Sequence, residues 1–318
     1  MKIVFLETQT LGETIDFEPF KRFGEVELYE LTRQNEIRER VLGAEVVIVN
    51  KLPVNEKCLG EAQNLKLVCI TATGTNNVDF AFTQSRNITV TNVKGYSTAA
   101  VVQHTFALLF YLMEQLPYYD NYVKQEEYTL SPMFTHLGKE FHELCGMTWG
   151  IVGLGSIGEG VARIARGFGC NVIYYSTSGN NHNFEYTEVD FEKLLQESDI
   201  ISVHAPLTEQ TDKLFTYEVF QKMKKNCFFL NLGRGPIVEE EGLKKALEEG
   251  EIAGAGLDVL TEEPMSEGNP LIKIKDSGKL IITPHIAWAS IEARGRLMKE
   301  VFLNIDAFCK GIERNVVK

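Results

Sequence analysis

The sequence has no apolar run long enough to span a membrane, no paired cysteine motif and no excess of cations. Its most apolar helical candidate, residues 105–116, is shorter than a membrane span and carries Glu114 and Gln115. Residues 1–7 turn acidic too early for a signal peptide, so a cytoplasmic protein with no membrane contact is expected. The six cysteines, Cys58, Cys69, Cys145, Cys170, Cys227 and Cys309, form no C-x-x-C pair. Neither a metal site nor a redox motif is therefore expected, and buried free thiols in a reducing compartment are. Asp and Glu number 44 against 32 Lys and Arg, a formal net charge of −12. That balance argues against nucleic acid or an anionic membrane as partner, yet leaves room for a small anionic substrate met by one local Arg. No internal repeat or low-complexity stretch is present.

What is present fits two globular domains. The chain has 318 residues, 44% of them hydrophobic, enough for two separate cores. In the first third, Val- and Ile-rich runs at 2–6, 26–29, 46–49, 65–70 and 88–93 read as buried strands, with amphipathic segments such as 35–42 between them. Strand–helix alternation predicts an α/β fold with a parallel sheet covered on both faces. One long helix is predicted over 98–124, capped by Ser97 or Thr98, followed by an irregular aromatic arm over 125–143. A second alternating block begins at 147. Its six expected strands are 147–154, 171–175, 200–204, 227–231, 255–259 and 280–282, the number a complete dinucleotide-binding fold requires. A last helix over 290–310 has no sheet partner of its own and is expected to pack on the first domain.

The second block opens on Gly153-Leu154-Gly155-Ser156-Ile157-Gly158, a G-x-G-x-x-G run between an apolar strand and an amphipathic helix with Ile157, Val161, Ile164 and Phe168 at helical spacing. Gly153 allows a tight turn, Gly155 lets backbone approach a pyrophosphate, and Gly158 lets helix and strand pack closely. The helix N-terminus offers free N–H groups and a positive dipole end to phosphates. A ligand-free glycine turn is the bland alternative, which this context disfavours. At the end of the next strand an acidic residue usually binds the ribose of NAD, but Tyr174-Tyr175-Ser176-Thr177-Ser178 has none. Ser176 can bond a ribose, and no Arg or Lys follows through residue 185 to attract a 2′-phosphate. NAD is the first choice, with NADP left open; His182 reads as a solvated loop residue.

Ligands of open α/β sheets bind outside the carboxyl ends of the strands. Three ionisable residues fall there: Arg234 in Asn231-Leu232-Gly233-Arg234-Gly235, Glu263 just past Leu257-Asp258-Val259, and His285 in Thr283-Pro284-His285. Singly, each is as readily a surface or strand-end residue. Together they suit reduction of a 2-keto acid. Arg pairs with carboxylate and carbonyl oxygens through parallel hydrogen bonds. His supplies and removes a proton at neutral pH, and a carboxylate beside it orients the ring and favours its charged form.

These motifs, in this order and over almost the whole chain, resemble the D-isomer-specific 2-hydroxyacid dehydrogenases. The resemblance implies two doubly wound parallel-sheet domains: a Rossmann NAD-binding domain, 99–288, inserted in a discontinuous flavodoxin-like substrate domain, 1–98 and 289–318. It implies Arg234, Glu263 and His285 as catalytic residues, with Asp258 on the nicotinamide side. Thr98 and Val101 are expected near the cofactor, as are Gly153, Gly155, Ser156, Ile157, Gly158, Ser176, Leu232, Gly233, and His204, Pro206 and Thr211 on the turn after the strand at 200–204. Thr71-Ala72-Thr73-Gly74-Thr75 is similar to the family's substrate loop, where N–H groups of Thr73 and Gly74 hold a carboxylate beside Arg234 and His285. The runs Asn92–Thr98, Gln103-His104-Thr105-Phe106 and His285–Ser290 are similar to glycerate dehydrogenases, also called hydroxypyruvate reductases. His104 reads as a packed helix residue. A homodimer through the long helix and the arm is expected. Two alternatives are weighed. An NAD-sensing corepressor of this fold is disfavoured by the acidic charge. A phosphoglycerate dehydrogenase wants cations in the substrate loop, and residues 71–79 hold none.

Overall fold

The computed structural model describes residues 1–318. The chain divides into two compact units, one formed by Met1–Ser97 with Ala289–Lys318 and the other by Thr98–Trp288.

The first unit is built on β1 (Lys2–Phe5), β2 (Glu25–Leu28), β3 (Val46–Val49), β4 (Leu67–Ile70) and β5 (Thr89–Thr91), with β13 (Val316–Val317) closing the edge. The sheet order is β13-β5-β4-β3-β1-β2, parallel except for β13. Every residue of β3 and β4 is buried, as central strands covered on both faces must be, and both are made of aliphatic side chains and Cys69. The edge strand β2 carries the exposed Glu25 and the half-buried Glu27, charges that discourage pairing with another chain.

The second unit holds β6 (Thr148–Val152), β7 (Asn171–Tyr175), β8 (Thr187–Glu188), β9 (Ile200–Val203), β10 (Phe228–Asn231), β11 (Gly254–Leu257) and β12 (Leu280–Ile282). They form one parallel sheet in the order β12-β11-β10-β9-β6-β7-β8. Seven strands stand where six are expected. The extra one, β8, is a two-residue edge strand beside β7, too short to leave a pattern in the sequence. The chain runs outward from β6 on both sides, so the carboxyl end of β6 is the topological switch point at which such sheets bind ligands. Trp149 of β6 is fully buried, with its indole N–H donating to Ser202 Oγ of β9 at 2.9 Å.

Six helices exceed six residues: α1 (Thr98–Met113), α2 (Leu116–Lys124), α3 (Ser156–Gly167), α4 (Phe191–Glu197), α5 (Glu240–Glu249) and α6 (Ile291–Cys309). The single helix expected over 98–124 is two. Gln115 turns into the left-handed region at φ 52°, and α2 restarts at Leu116 with Pro117 in its first turn. Inside a continuous helix Pro117 would lack an N–H for the ladder and crowd the carbonyl four residues earlier; in a first turn it costs nothing. The arm after α2 has only a short 3-10 turn, Glu127–Leu130, before β6. Ser290 caps α6, its side chain accepting from Ala293 N, and α6 packs on β4 within the first unit.

Candidate active site

Most of the sequence-predicted residues of the second unit gather at the carboxyl ends of six neighbouring strands, while Thr98 and Val101 lie in the first turn of α1. The glycine loop follows β6, Ser176 follows β7, His204 and Pro206 follow β9, Leu232 to Arg234 follow β10, and Asp258 and His285 follow β11 and β12.

In the glycine loop the protein itself explains two of the three glycines. Gly153 has φ 89°, and a Cβ there would stand 2.9 Å from Ala205 Cα. A Cβ on Gly158 would lie 2.4 Å from the Gly153 carbonyl oxygen. Gly155 has an ordinary φ of −83°, and a Cβ there would meet nothing within 4 Å. The bare backbone at Gly155 thus faces open space at the N-terminus of α3, where the first N–H groups of a helix have no intrahelical partner. That is the cradle a pyrophosphate needs. Around Ser176 an open recess of about 830 Å³ is lined by Tyr175, Ser176, Ser178, His182, Glu188 and Asp190 among others, and no Lys or Arg belongs to it. Ser176 is buried, its Oγ accepting from Asn181 N at 3.3 Å; His182 is tied to Glu188 by a 2.8 Å contact. An acidic recess without a cation suits an adenosine whose 2′-hydroxyl is free. His204 is half-buried, but both its ring nitrogens are covered and neither has a hydrogen-bond partner within the protein. Burial holds its pKa down to about 3. Thr211 spends its hydroxyl on Pro206 O at 2.8 Å, which shapes the turn after β9. Val101 is buried in the core beside α3.

Arg234 has an extended backbone, and its guanidinium donates to the adjacent Gly233 carbonyl at 2.8 Å. Its turn is clamped by the fully buried Asn231, which accepts from Gly233 N and donates to Arg234 O, both at 3.0 Å. This role of Asn231 has one sequence signal, an amide two residues before a G-R-G turn. Glu263 accepts from Leu260 N at 3.0 Å through one oxygen and meets His285 Nδ1 at 2.7 Å through the other. The His285 Nε2 therefore stays available to a ligand. Both side chains are about one-third exposed or less, so the pair is open to an incoming substrate. Asp258 is 2% exposed. Its Oδ1 accepts from Thr283 Oγ1 at 2.6 Å and Ile286 N at 2.9 Å, and its Oδ2 from Ala287 N at 2.9 Å. Capacity for a further donor remains on Oδ2.

In the first unit Thr73 and Gly74 follow β4. Thr73 Oγ1 donates to Val93 O at 2.8 Å and Asn92 Nδ2 donates to Thr73 O at 2.6 Å. The loop is fixed by those groups, while the N–H groups of Thr73 and Gly74 bond to no protein atom. All six cysteines are free. Burial pushes the Cys69 thiol up to about 12 and Cys170 up to about 11, so neither serves as a nucleophile.

Comparison with known proteins agrees with this geometry. Residues 106–287 match the family model for the D-isomer specific 2-hydroxyacid dehydrogenase, NAD binding domain. The chain belongs to this family. It is 36% identical over 318 residues to a glycerate dehydrogenase of Methylorubrum extorquens, covering 100% of this chain and 99% of that one. It is 35% identical over 325 residues to a hydroxypyruvate reductase of Blautia hydrogenotrophica, covering 100% and 99%. Among solved structures, the TT0316 protein of Thermus thermophilus superposes with a TM-score of 0.89 at 30% identity over the whole of both chains. The protein is thus an oxidoreductase that acts on CH–OH donors with NAD as cofactor, interconverting a hydroxy acid and a keto acid. Neither the corepressor nor the phosphoglycerate reading is favoured. No helix is long and apolar enough to cross a membrane.

Proposed function

We propose that the enzyme interconverts D-glycerate and hydroxypyruvate, with His285 as the proton carrier. The observation that carries this reading is the 2.7 Å contact of His285 Nδ1 with Glu263, which fixes the ring and leaves Nε2 for the substrate oxygen. The likeness to a glycerate dehydrogenase and a hydroxypyruvate reductase over the full chain supports the substrate pair. Bound NADH supplies the hydride. His285 Nε2 gives its proton to the carbonyl oxygen as that oxygen gains charge, and takes it back in the reverse direction. Glu263 keeps Nδ1 protonated and the ring aligned throughout. Arg234 meets the carbonyl and carboxylate oxygens from the turn that Asn231 holds. The N–H groups of Thr73 and Gly74, which bond to no protein atom, are suited to a carboxylate. The glycine loop, Ser156 and Ile157 hold the pyrophosphate. Ser176, His204, Thr211, Thr98, Val101, Leu232 and Gly233 belong to the cofactor site, with Pro206 on the adenosine side and Asp258 on the nicotinamide side.

The test is a panel of 2-keto acids run with NADH and NADPH side by side. Hydroxypyruvate with NADH is expected to give the highest kcat/KM. A pyruvate or glyoxylate optimum would overturn the substrate assignment, and His285→Gln with unchanged turnover would overturn the proton carrier. That variant is expected to lose about 10³-fold in kcat with NADH affinity nearly unchanged.

We also assign a homodimer. Leu130, Met133, Phe134, Leu137 and Phe141 of the arm are all more than half exposed, a patch that a second copy would cover. A single sedimenting species at the monomer mass would refute this. The unpaired cysteines support a cytoplasmic location.

A further inference from the structure

His104 lies on α1, 179 residues before the turn that carries the proton donor, and the proposed chemistry makes no use of it. Yet its Nε2 stands 2.9 Å from Thr283 Oγ1 and 3.6 Å from Asp258 Oδ1. The Thr283 hydroxyl has one hydrogen, and its 2.6 Å bond to Asp258 Oδ1 uses it. Thr283 must then accept from His104, which places the imidazole hydrogen on Nε2. The bonds run in one direction, from His104 to Thr283 to Asp258.

Asp258 is where the turn is gathered. Its backbone carbonyl accepts from His285 N at 2.9 Å, and its carboxylate accepts from Ile286 N and Ala287 N. Three successive N–H groups converge on one buried residue. His285, the first of the three, sits at φ 54°, in the left-handed region that residues with side chains uncommonly adopt. The close approach of α1 depends on Gly256 of β11: a Cβ there would stand 2.9 Å from Leu230 Cδ2 and 3.1 Å from Leu108 Cβ. Leu108 is one helical turn from His104.

We infer that His104 is a positioning residue for the proton donor, acting through Thr283 and Asp258 to hold the turn that presents His285. The inference rests on the reading of His285 as proton carrier. It is tested on the full-length enzyme with His104→Leu and Thr283→Val, which remove a donor and a hydroxyl, and with His104→Gln and Thr283→Ser, which keep them. Each of the first pair is expected to lower kcat about tenfold, with keto-acid KM and the NADH dissociation constant by fluorescence titration within about twofold. The conservative pair should recover kcat to within about threefold. Because the bonds form one chain, the double variant His104→Leu/Thr283→Val should lose no more than either single one. Unchanged kcat in Thr283→Val, strictly additive losses, or conservative variants as impaired as the others would each overturn the inference. His285→Gln, run beside them, separates the two readings: a fully active His285→Gln defeats the proton-carrier reading itself.

Discussion

The covered ring nitrogens of His204 make stability depend on pH in a way that can be worked out in advance. Its ring nitrogens are covered and unpartnered, so the folded protein keeps it neutral, with a pKa lowered by burial to about 3. In the unfolded chain the same group takes a proton near pH 6.5. Between those values the unfolded state binds one more proton, so acidification favours unfolding. The contribution is fully present above pH 6.5 and is lost progressively toward pH 3. At pH 5 the loss is about 2 kcal/mol, since the pH then lies about 1.5 units below the unfolded pKa and each unit is worth about 1.36 kcal/mol. For a unit of this size that corresponds to about 4–8 °C in Tm. The assay is thermal unfolding at pH 7.5 and pH 5.0, without cofactor, for the wild type and His204→Gln. The glutamine shifts the absolute Tm but cannot titrate, so the quantity to compare is the change with pH. The wild type should fall further than the variant by about that interval. Parallel falls would refute a buried neutral imidazole.

The glycine loop allows a paired test. Gly155→Ala adds a methyl that meets no protein atom and should leave Tm within about 2 °C while raising the NADH dissociation constant at least about tenfold; equal affinity would remove the loop from the cofactor site. Gly158→Ala drives a methyl against the Gly153 carbonyl and should cost about 1–3 kcal/mol of stability by denaturant titration. Glu263→Gln should lower kcat about 10–100-fold by loosening the His285 ring, with keto-acid KM little changed; an effect on KM alone would contradict an orienting role. Asn231→Ala removes both bonds that hold the Arg234 turn and should lower kcat/KM for the keto acid by at least about tenfold, which steady-state kinetics would show.

Much of this protein was legible in one dimension because its signals are local. A buried parallel strand is a short run of Val and Ile, and β3 spells Val-Val-Ile-Val. The phosphate cradle is six consecutive residues. Arg234, Glu263 and His285, the proposed catalytic residues, stand out in the sequence because strand ends are recognisable and ligands lie beyond them. Where local pattern is thin the sequence is silent: β8 and β13 are two residues each, and the break at Gln115 hides in a stretch whose apolar spacing runs on through Pro117.

Local pattern along the chain carries the alternation of strands and helices, the glycine loop and the residue types suited to hydride and proton transfer. Which groups share a hydrogen bond is set by the folded arrangement. His104 and Thr283 stand 179 residues apart, Thr283 and Asp258 25 apart, and His285 and Glu263 22 apart. Propensity and periodicity describe a chain's nearest neighbours; the bonds that seat His285 are made across strands, after the sheet has brought their ends together.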